Sequence, residues 1–565
     1  MADGELFIYS NSYGGDWATN PGDPFAPGGK AQSWSRRVGS EEWAWGTDVI
    51  RGVNLGGWLV TEPFIVPALY EKYATVGGFA VIDEWMLCVA MGNNVAKELE
   101  NHYATFITER DFAEIAAAGL NWVRIPIGFW AIDTMEHEPF LKSTSWTYFL
   151  KAIEWARKYG LRIYLDLHAL PGSQNGWNHS GKGGSINFMN GVMGIANAQR
   201  TLTYIQILTE FVSQEQYRDV VCMLGIVNEI MWKTIGQTSI ESFYYAAYDT
   251  IRNATGLGTG NGPYIALHDA FQGVICARNL THVFATPTPS SFLSGSDRVV
   301  IDQHPVFVSK LISLFSIWLS GKIVHSLSEW AMATNRSSRV FGVTVGGEFS
   351  TAINDCGLWL NGVGSSPTST DCAHWDDWEH YDQATIDDLK KVTLASMDAL
   401  QNFFFWTWKI GNSTDLRKSS SPLWHYKLGL QRGWIPKDPR EAVGHCASVL
   451  RASDVFDGRH PATAIGGATG TLSANQARAF PPATLSPSFS GTQMTLLPTY
   501  TATGTVKTLF APTFSSAPSA TVGTGWTNAK DQVLAYVPVE GCDYPNAWDS
   551  VNASLANTRC TGTKP

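Results

Sequence analysis

The sequence predicts an α/β chain built on a single (β/α)8 barrel, with N- and C-terminal extensions packed on it. Three observations lead there: eight short apolar runs recur between residues 48 and 446, helix-like patterns lie between them, and nearly every run ends in a residue with chemistry. In order, the runs are Gly52–Gly56, Trp122–Pro126, Arg162–His168, Cys222–Glu229, Tyr264–Asp269, Val299–His304, Val343–Glu348 and Phe403–Lys409. Between them sit amphipathic stretches such as Glu109–Gly119, which closes on a glycine where a helix C-cap wants one. Strands alternating with helices imply a parallel sheet, and eight such units close into a barrel.

The flanks divide the chain into an N-terminal extension (1–47), the barrel (48–446) and a C-terminal extension (447–565). The last is rich in Ala, Thr, Ser, Gly and Pro, a composition shared with disordered linkers. It also holds Leu496, Leu497, Trp526, Tyr536, Cys542 and Trp548, which predict extended segments wrapped on the barrel. Trp17, Trp34, Trp43 and Trp45 predict the same for the N-terminal stretch.

Composition narrows the function. In 565 residues, 44% apolar, a formal charge of −10 argues against nucleic acid or an anionic membrane, since each needs a basic face. No apolar run reaches the length of a membrane span. The 23 tryptophans are many for this length; most are expected in the core, but flat aromatic faces also stack on sugar rings. Eight cysteines contain no CxxC pair or His/Cys cluster of zinc spacing, so neither metal nor cofactor is expected. Cys356 with Cys372, and Cys542 with Cys560, each enclose a short turn-rich stretch that a disulfide would staple. Glycosylation sequons at Asn178, Asn253, Asn279, Asn335, Asn412 and Asn552 agree with secretion. Met1-Ala-Asp-Gly lacks a basic start followed by an apolar stretch, which predicts a mature or engineered start.

The polar strand ends are Asn54, Arg124, His168, Asn228 with Glu229, His268 with Asp269, His304, Glu348, and Trp406 with Trp408. In such a barrel these ends converge on one pocket. A single Arg or His at a strand end is more often a satisfied core contact; eight strands ending alike are harder to dismiss. Glu229 and Glu348 close the fourth and seventh runs, which face each other across the mouth. Glycoside hydrolysis needs a proton for the departing oxygen and an opposed carboxylate at the anomeric carbon, and two glutamates meet that need.

These residues carry a resemblance. Arg51–Phe64, Gly119–Trp130, Leu165–Gly176, Asn228–Ile230, His268–Phe271, Gly347–Gly364 and Phe405–Lys409 resemble the fungal exo-β-1,3-glucanases of glycoside hydrolase family 5, in clan A. Asp23–Phe25 and Leu497–Val506 extend the likeness to about 23–560. The resemblance implies retaining hydrolysis that releases glucose from fungal wall β-1,3-glucan, in the extracellular space or cell wall, by a monomer acting on carbohydrate. It implies Glu229 as acid/base, Glu348 as nucleophile and Arg124 as the cation that keeps the nucleophile ionised. His168, Asn228 and His304 would line the glucose subsite, Glu62 would bind sugar hydroxyls, Trp177 would clamp the next sugar and Trp406 would be the platform, with Trp408 its rival.

Three departures stand out. Val306 replaces the tyrosine usual two residues after the sixth-strand histidine, Ile230 follows the acid/base in place of proline, and Asn178 stands where an aspartate often follows the loop aromatic. They keep two alternatives open: a rutinosidase-like diglycosidase or aryl-β-glucosidase, and a catalytically impaired glucan-binding protein.

Overall fold

The computed structural model describes residues 7–273, 292–293, 295–307, 321–446, 456–467, 472 and 477–562. Cys276 and the sequon at Asn279 lie outside the described residues. Eight parallel strands close into a barrel: β1 (Arg51–Asn54), β2 (Trp122–Gly128), β3 (Arg162–Ala169), β4 (Val221–Gly225), β5 (Tyr264–His268), β6 (Val299–Gln303), β7 (Thr344–Phe349) and β8 (Phe403–Phe405). Each pairs with its neighbours in sequence, and β1 joins β8 to seal the ring. Crossover helices α1 (Glu109–Ala117), α2 (Thr144–Tyr159), α3 (Gly194–Val212), α4 (Gln237–Thr255), α5 (Gly321–Val340) and α6 (Gln383–Leu400) alternate with the strands. All eight predicted runs coincide with barrel strands. The fourth and eighth end earlier than expected: pairing of β4 stops at Gly225, before Asn228 and Glu229, and β8 stops at Phe405, before Trp406 and Trp408.

Local sequence explains the framework. Thr108 and Asp111 form a capping box at the start of α1, satisfying backbone N–H groups that the helix cannot, and Gly119 follows its end at φ +82°. Strand side chains alternate in and out, so the inward set falls on every second residue. At the lower end it comprises Trp122, Tyr164, Met223, Tyr264, Val300, Val345 and Phe404, packed as one apolar cluster with Trp43 and Ile50. Two residues further along, the same faces present Arg124, Asp166 and Asp302. A Cβ on Gly347 would stand 2.0 Å from Asp302 Oδ1, so glycine is what lets β7 pass that carboxylate.

Both extensions pack on the barrel. Gln32 Nε2 donates to the carbonyls of Ala116 and Leu120, and Trp43 meets Trp122 edge to face beneath the barrel. At the other end of the chain, Tyr536 N donates to Thr203 on α3, and Trp548 Nε1 donates to Glu138, which also pairs with Arg200. Disulfides join Cys356 to Cys372 and Cys542 to Cys560. Asn335 corrects one sequon: it is fully buried, its Oδ1 accepting from Gln401 and Phe456 N, which leaves no room for a glycan. Asn253, Asn412 and Asn552 are exposed. Among the described residues, no helix is long and apolar enough to cross a membrane.

Candidate active site

Arg124 organises the upper mouth. Fully buried, it donates through one terminal nitrogen to Glu348 Oε1 at 2.6 Å and Asn54 Oδ1 at 3.0 Å. Through the other it donates to Asn228 Oδ1 at 2.8 Å and meets Asp166 Oδ2 at 3.0 Å. Burial opposes its charge, but Asp166, Glu348 and Asp302 outweigh that and keep the guanidinium ionised. His168 Nδ1 also donates to Asp166 Oδ2 at 2.6 Å, and Tyr164 donates to Asp302 at 2.6 Å. Desolvation pushes His168 down to about 4, so the ring is neutral, its Nε2 turned to Asn228 Nδ2 at 3.4 Å.

Glu229 and Glu348 meet over one histidine. His304 Nδ1 lies 2.9 Å from Glu229 Oε1 and 3.7 Å from Glu348 Oε1, which sets those oxygens within about 7 Å of each other, the range of a carboxylate pair flanking one sugar carbon. Both glutamates are buried. Glu229 sits at φ +48°, a left-handed backbone rare for a residue with a side chain and a form of strain that clusters at functional sites. Burial pushes Glu348 up to about 7, restrained by His304 and Arg124. Burial also works on Glu229, but hydrogen bonds and charge from His179 and His304 hold it well below the usual carboxylate range.

The remaining predicted residues surround this pair. Glu62 is buried beside His179, with its oxygen 3.8 Å from Nδ1, and desolvation lifts it to about 8. Trp406 stacks on His168 with ring centres 5.6 Å apart and planes 6° apart. Trp408 turns away: its Nε1 donates to Asp111 on α1, which leaves Trp406 as the tryptophan at the site. Trp177 is 43% exposed at the mouth and meets Phe271, equally exposed, at 5.7 Å. Val306 is 40% exposed, and Glu348 Oε1 is met by Arg124 and His304.

Sequence reasoning did not single out Asp166, Asp302, His179 or Phe271. The two aspartates share the inward face of His168 and His304, so strand alternation would have found them. His179 lies in a single 3-10 turn (Asn178–Ser180) of the connection after β3, where no periodicity points to it.

Glu229, His268 and His304 bring potential metal-ligand atoms within 4.8 Å of one another. His268 Nδ1, however, accepts the backbone N–H of Ala270 at 3.0 Å. That bond places the ring proton on Nε2 and leaves no lone pair there for a cation, so this donor set does not suit a metal.

Residues 88–304 match the family described as Cellulase (glycosyl hydrolase family 5). The chain is 35% identical over 428 residues to the probable glucan 1,3-β-glucosidase D of Aspergillus terreus, an alignment covering 70% of this chain and 48% of that protein. The Neosartorya fischeri counterpart is 36% identical over 426 residues, with the same coverage. The chain therefore spans about half the length of these curated relatives. In fold, it is similar to the crystal structure of AoRut (TM-score 0.52, 21% identity, 70% of this chain and 99% of that one). It is also similar to rutinosidase from Aspergillus niger (TM-score 0.50, 19% identity, 70% and 100%). Within the closed eight-stranded barrel, residues 88–304 therefore form a domain of glycosyl hydrolase family 5.

Proposed function

We propose that the chain is a secreted hydrolase of β-linked glucosides that retains anomeric configuration and releases glucose from the ends of β-1,3-glucan. The observation that carries the reading is two buried glutamates meeting the same histidine nitrogen at the mouth of the barrel. Glu229 protonates the departing oxygen while Glu348 bonds the anomeric carbon, giving a glycosyl ester. Glu229 then takes a proton from the water that cleaves it. Arg124 offsets the charge on Glu348 before attack and after release. His168, Asn228, His304 and Glu62 supply the polar wall of the glucose subsite, Trp406 its flat face, and Trp177 the contact for the next unit. The relatives named as probable glucan 1,3-β-glucosidases support the glucan preference.

A second reading has its own observation. Trp177 and Phe271 give the mouth two exposed aromatic rings in contact, and Val306 is exposed just after β6, apolar surface suited to a flat aromatic leaving group such as a flavonoid. Laminarin and rutin compared as substrates, with NMR detection of the first-formed anomer, test both. Faster release of β-glucose from laminarin supports the first reading, and faster cleavage of rutin supports the second. Laminarin binding without turnover would show a glucan-binding protein, and an α-anomer as first product would overturn retention.

A further inference from the structure

His179 touches Glu229 on the oxygen that His304 leaves free. Its Nε2 lies 3.1 Å from Glu229 Oε2, and its Nδ1 lies 3.8 Å from Glu62 Oε2. Asn175 Nδ2 stands 2.9 Å from the same Nε2, and the Asn175 oxygen accepts the Trp177 N–H at 2.9 Å, which fixes the amide's orientation. These neighbours make opposite demands: a carboxylate binds Nε2 when it carries a proton, and an amide N–H binds it when it does not. The titratable groups facing the ring are Glu62 after β1, His168 on β3 with ring centres 5.3 Å apart, Glu229 after β4 and, through its charge, Glu348 on β7.

The geometry points to His179 as the proton partner of Glu229, storing the acid proton in the free site and returning it for leaving-group departure. This rests on the proposed acid/base role of Glu229. In the first step the Nε2–H bond breaks, the proton moves to the Glu229 carboxylate and from there to the glycosidic oxygen. His179 is left neutral, its lone pair satisfied by the Asn175 N–H. In the second step Glu229 takes a proton from the attacking water and Nε2 recovers it, so the cycle consumes none. Electrostatics agree: burial opposes charge on His179, but the hydrogen bond to Glu229 and the fields of Glu229, Glu62 and Glu348 lift it to about 9.

The test uses two variants with opposite expected signs. His179→Asn removes the proton store, so the alkaline limb of the kcat/KM profile should move to lower pH by about one unit or more. Asn175→Asp keeps the oxygen that accepts the Trp177 N–H and sets a carboxylate against Nε2, so the limb should move to higher pH. Unmoved limbs, or shifts of one sign in both variants, would overturn the proposal, because a merely structural role predicts no opposed pair. A readout independent of turnover is nitrogen NMR of protein with labelled histidine, the His179 signal being assigned by its loss in His179→Asn. At about pH 8 the ring should be cationic in the native protein and neutral in Glu229→Gln. The same charge state in both would also overturn the pairing. A protein that cleaves no glucoside yet shows this NMR difference would refute the hydrolase reading and leave the pairing intact.

Discussion

The two ends of the barrel use the same strands for different work. At the lower end Trp122 meets Trp43 at 5.4 Å and Phe404 at 6.4 Å, and Tyr164 meets Phe404 at 5.5 Å, all edge to face. Two residues further along β2, β3 and β6 stand Arg124, Asp166 and Asp302, and the packing gives way to a buried charge network. Tyr164 joins the two layers: its ring lies 5.2 Å below the Arg124 guanidinium, and its hydroxyl donates to Asp302. Position along the strand, rather than residue type alone, separates stability from chemistry.

Substitutions at the two ends should therefore fail in different ways. Glu348→Ala should lower turnover by about 10⁴-fold or more in a protein that still folds and unfolds cooperatively in urea. Glu229→Ala should cost about 10²–10⁴-fold, with the greatest loss on glucosides with poor leaving groups, as a leaving-group series would show. Arg124→Met strands Asp166, Asp302 and Glu348 without their cation, and should cost about 3–5 kcal/mol of stability along with activity. At the lower end, Trp122→Ala should cost about 3–5 kcal/mol in urea unfolding and leave kcat/KM of the folded fraction within a few-fold of native. A large specific loss of kcat/KM there would break the division between the layers. Val306→Tyr should raise activity modestly; an unchanged or lower rate would show a site adapted to valine.

The smallest expected effect concerns pH. Burial lifts Glu84 to about 8, and its Oε1 has no hydrogen-bond partner. A carboxyl raised in the folded state stabilises fully below its unfolded pKa, and that contribution is lost as pH rises through about 8. Glu84→Gln should thus raise the thermal midpoint near pH 8 and leave it unchanged near pH 4. Equal effects at both pH values would contradict the assignment.

The barrel was legible because apolar runs recur with His168 near the end of β3, His304 just after β6 and Glu348 near the end of β7, a pattern needing only strand periodicity; Arg124, third of the seven residues of β2, lies inside its strand rather than at the end. Glu229 and Glu348 were legible from the same ends. The point where β4 leaves the sheet was not, because Ile226 and Val227 are as apolar as the strand before them. Trp406 and Trp408 share a strand parity, and it is the bond from Trp408 to Asp111 and the stacking of Trp406 on His168 that separate them. The sequon at Asn335 looked like any other until burial removed it. His179 was hidden because a single 3-10 turn gives a side chain no periodic address; its role depends on where Glu62 and Glu229 arrive from distant segments.

The most direct test of the paired-glutamate account is incubation with a 2-fluoro β-glucoside bearing a good leaving group, followed by peptide mapping of the trapped protein by mass spectrometry. A single glycosyl adduct on the peptide containing Glu348 is the predicted result. An adduct on Glu229 or Glu62, or none in a protein that still turns over glucosides, would contradict it.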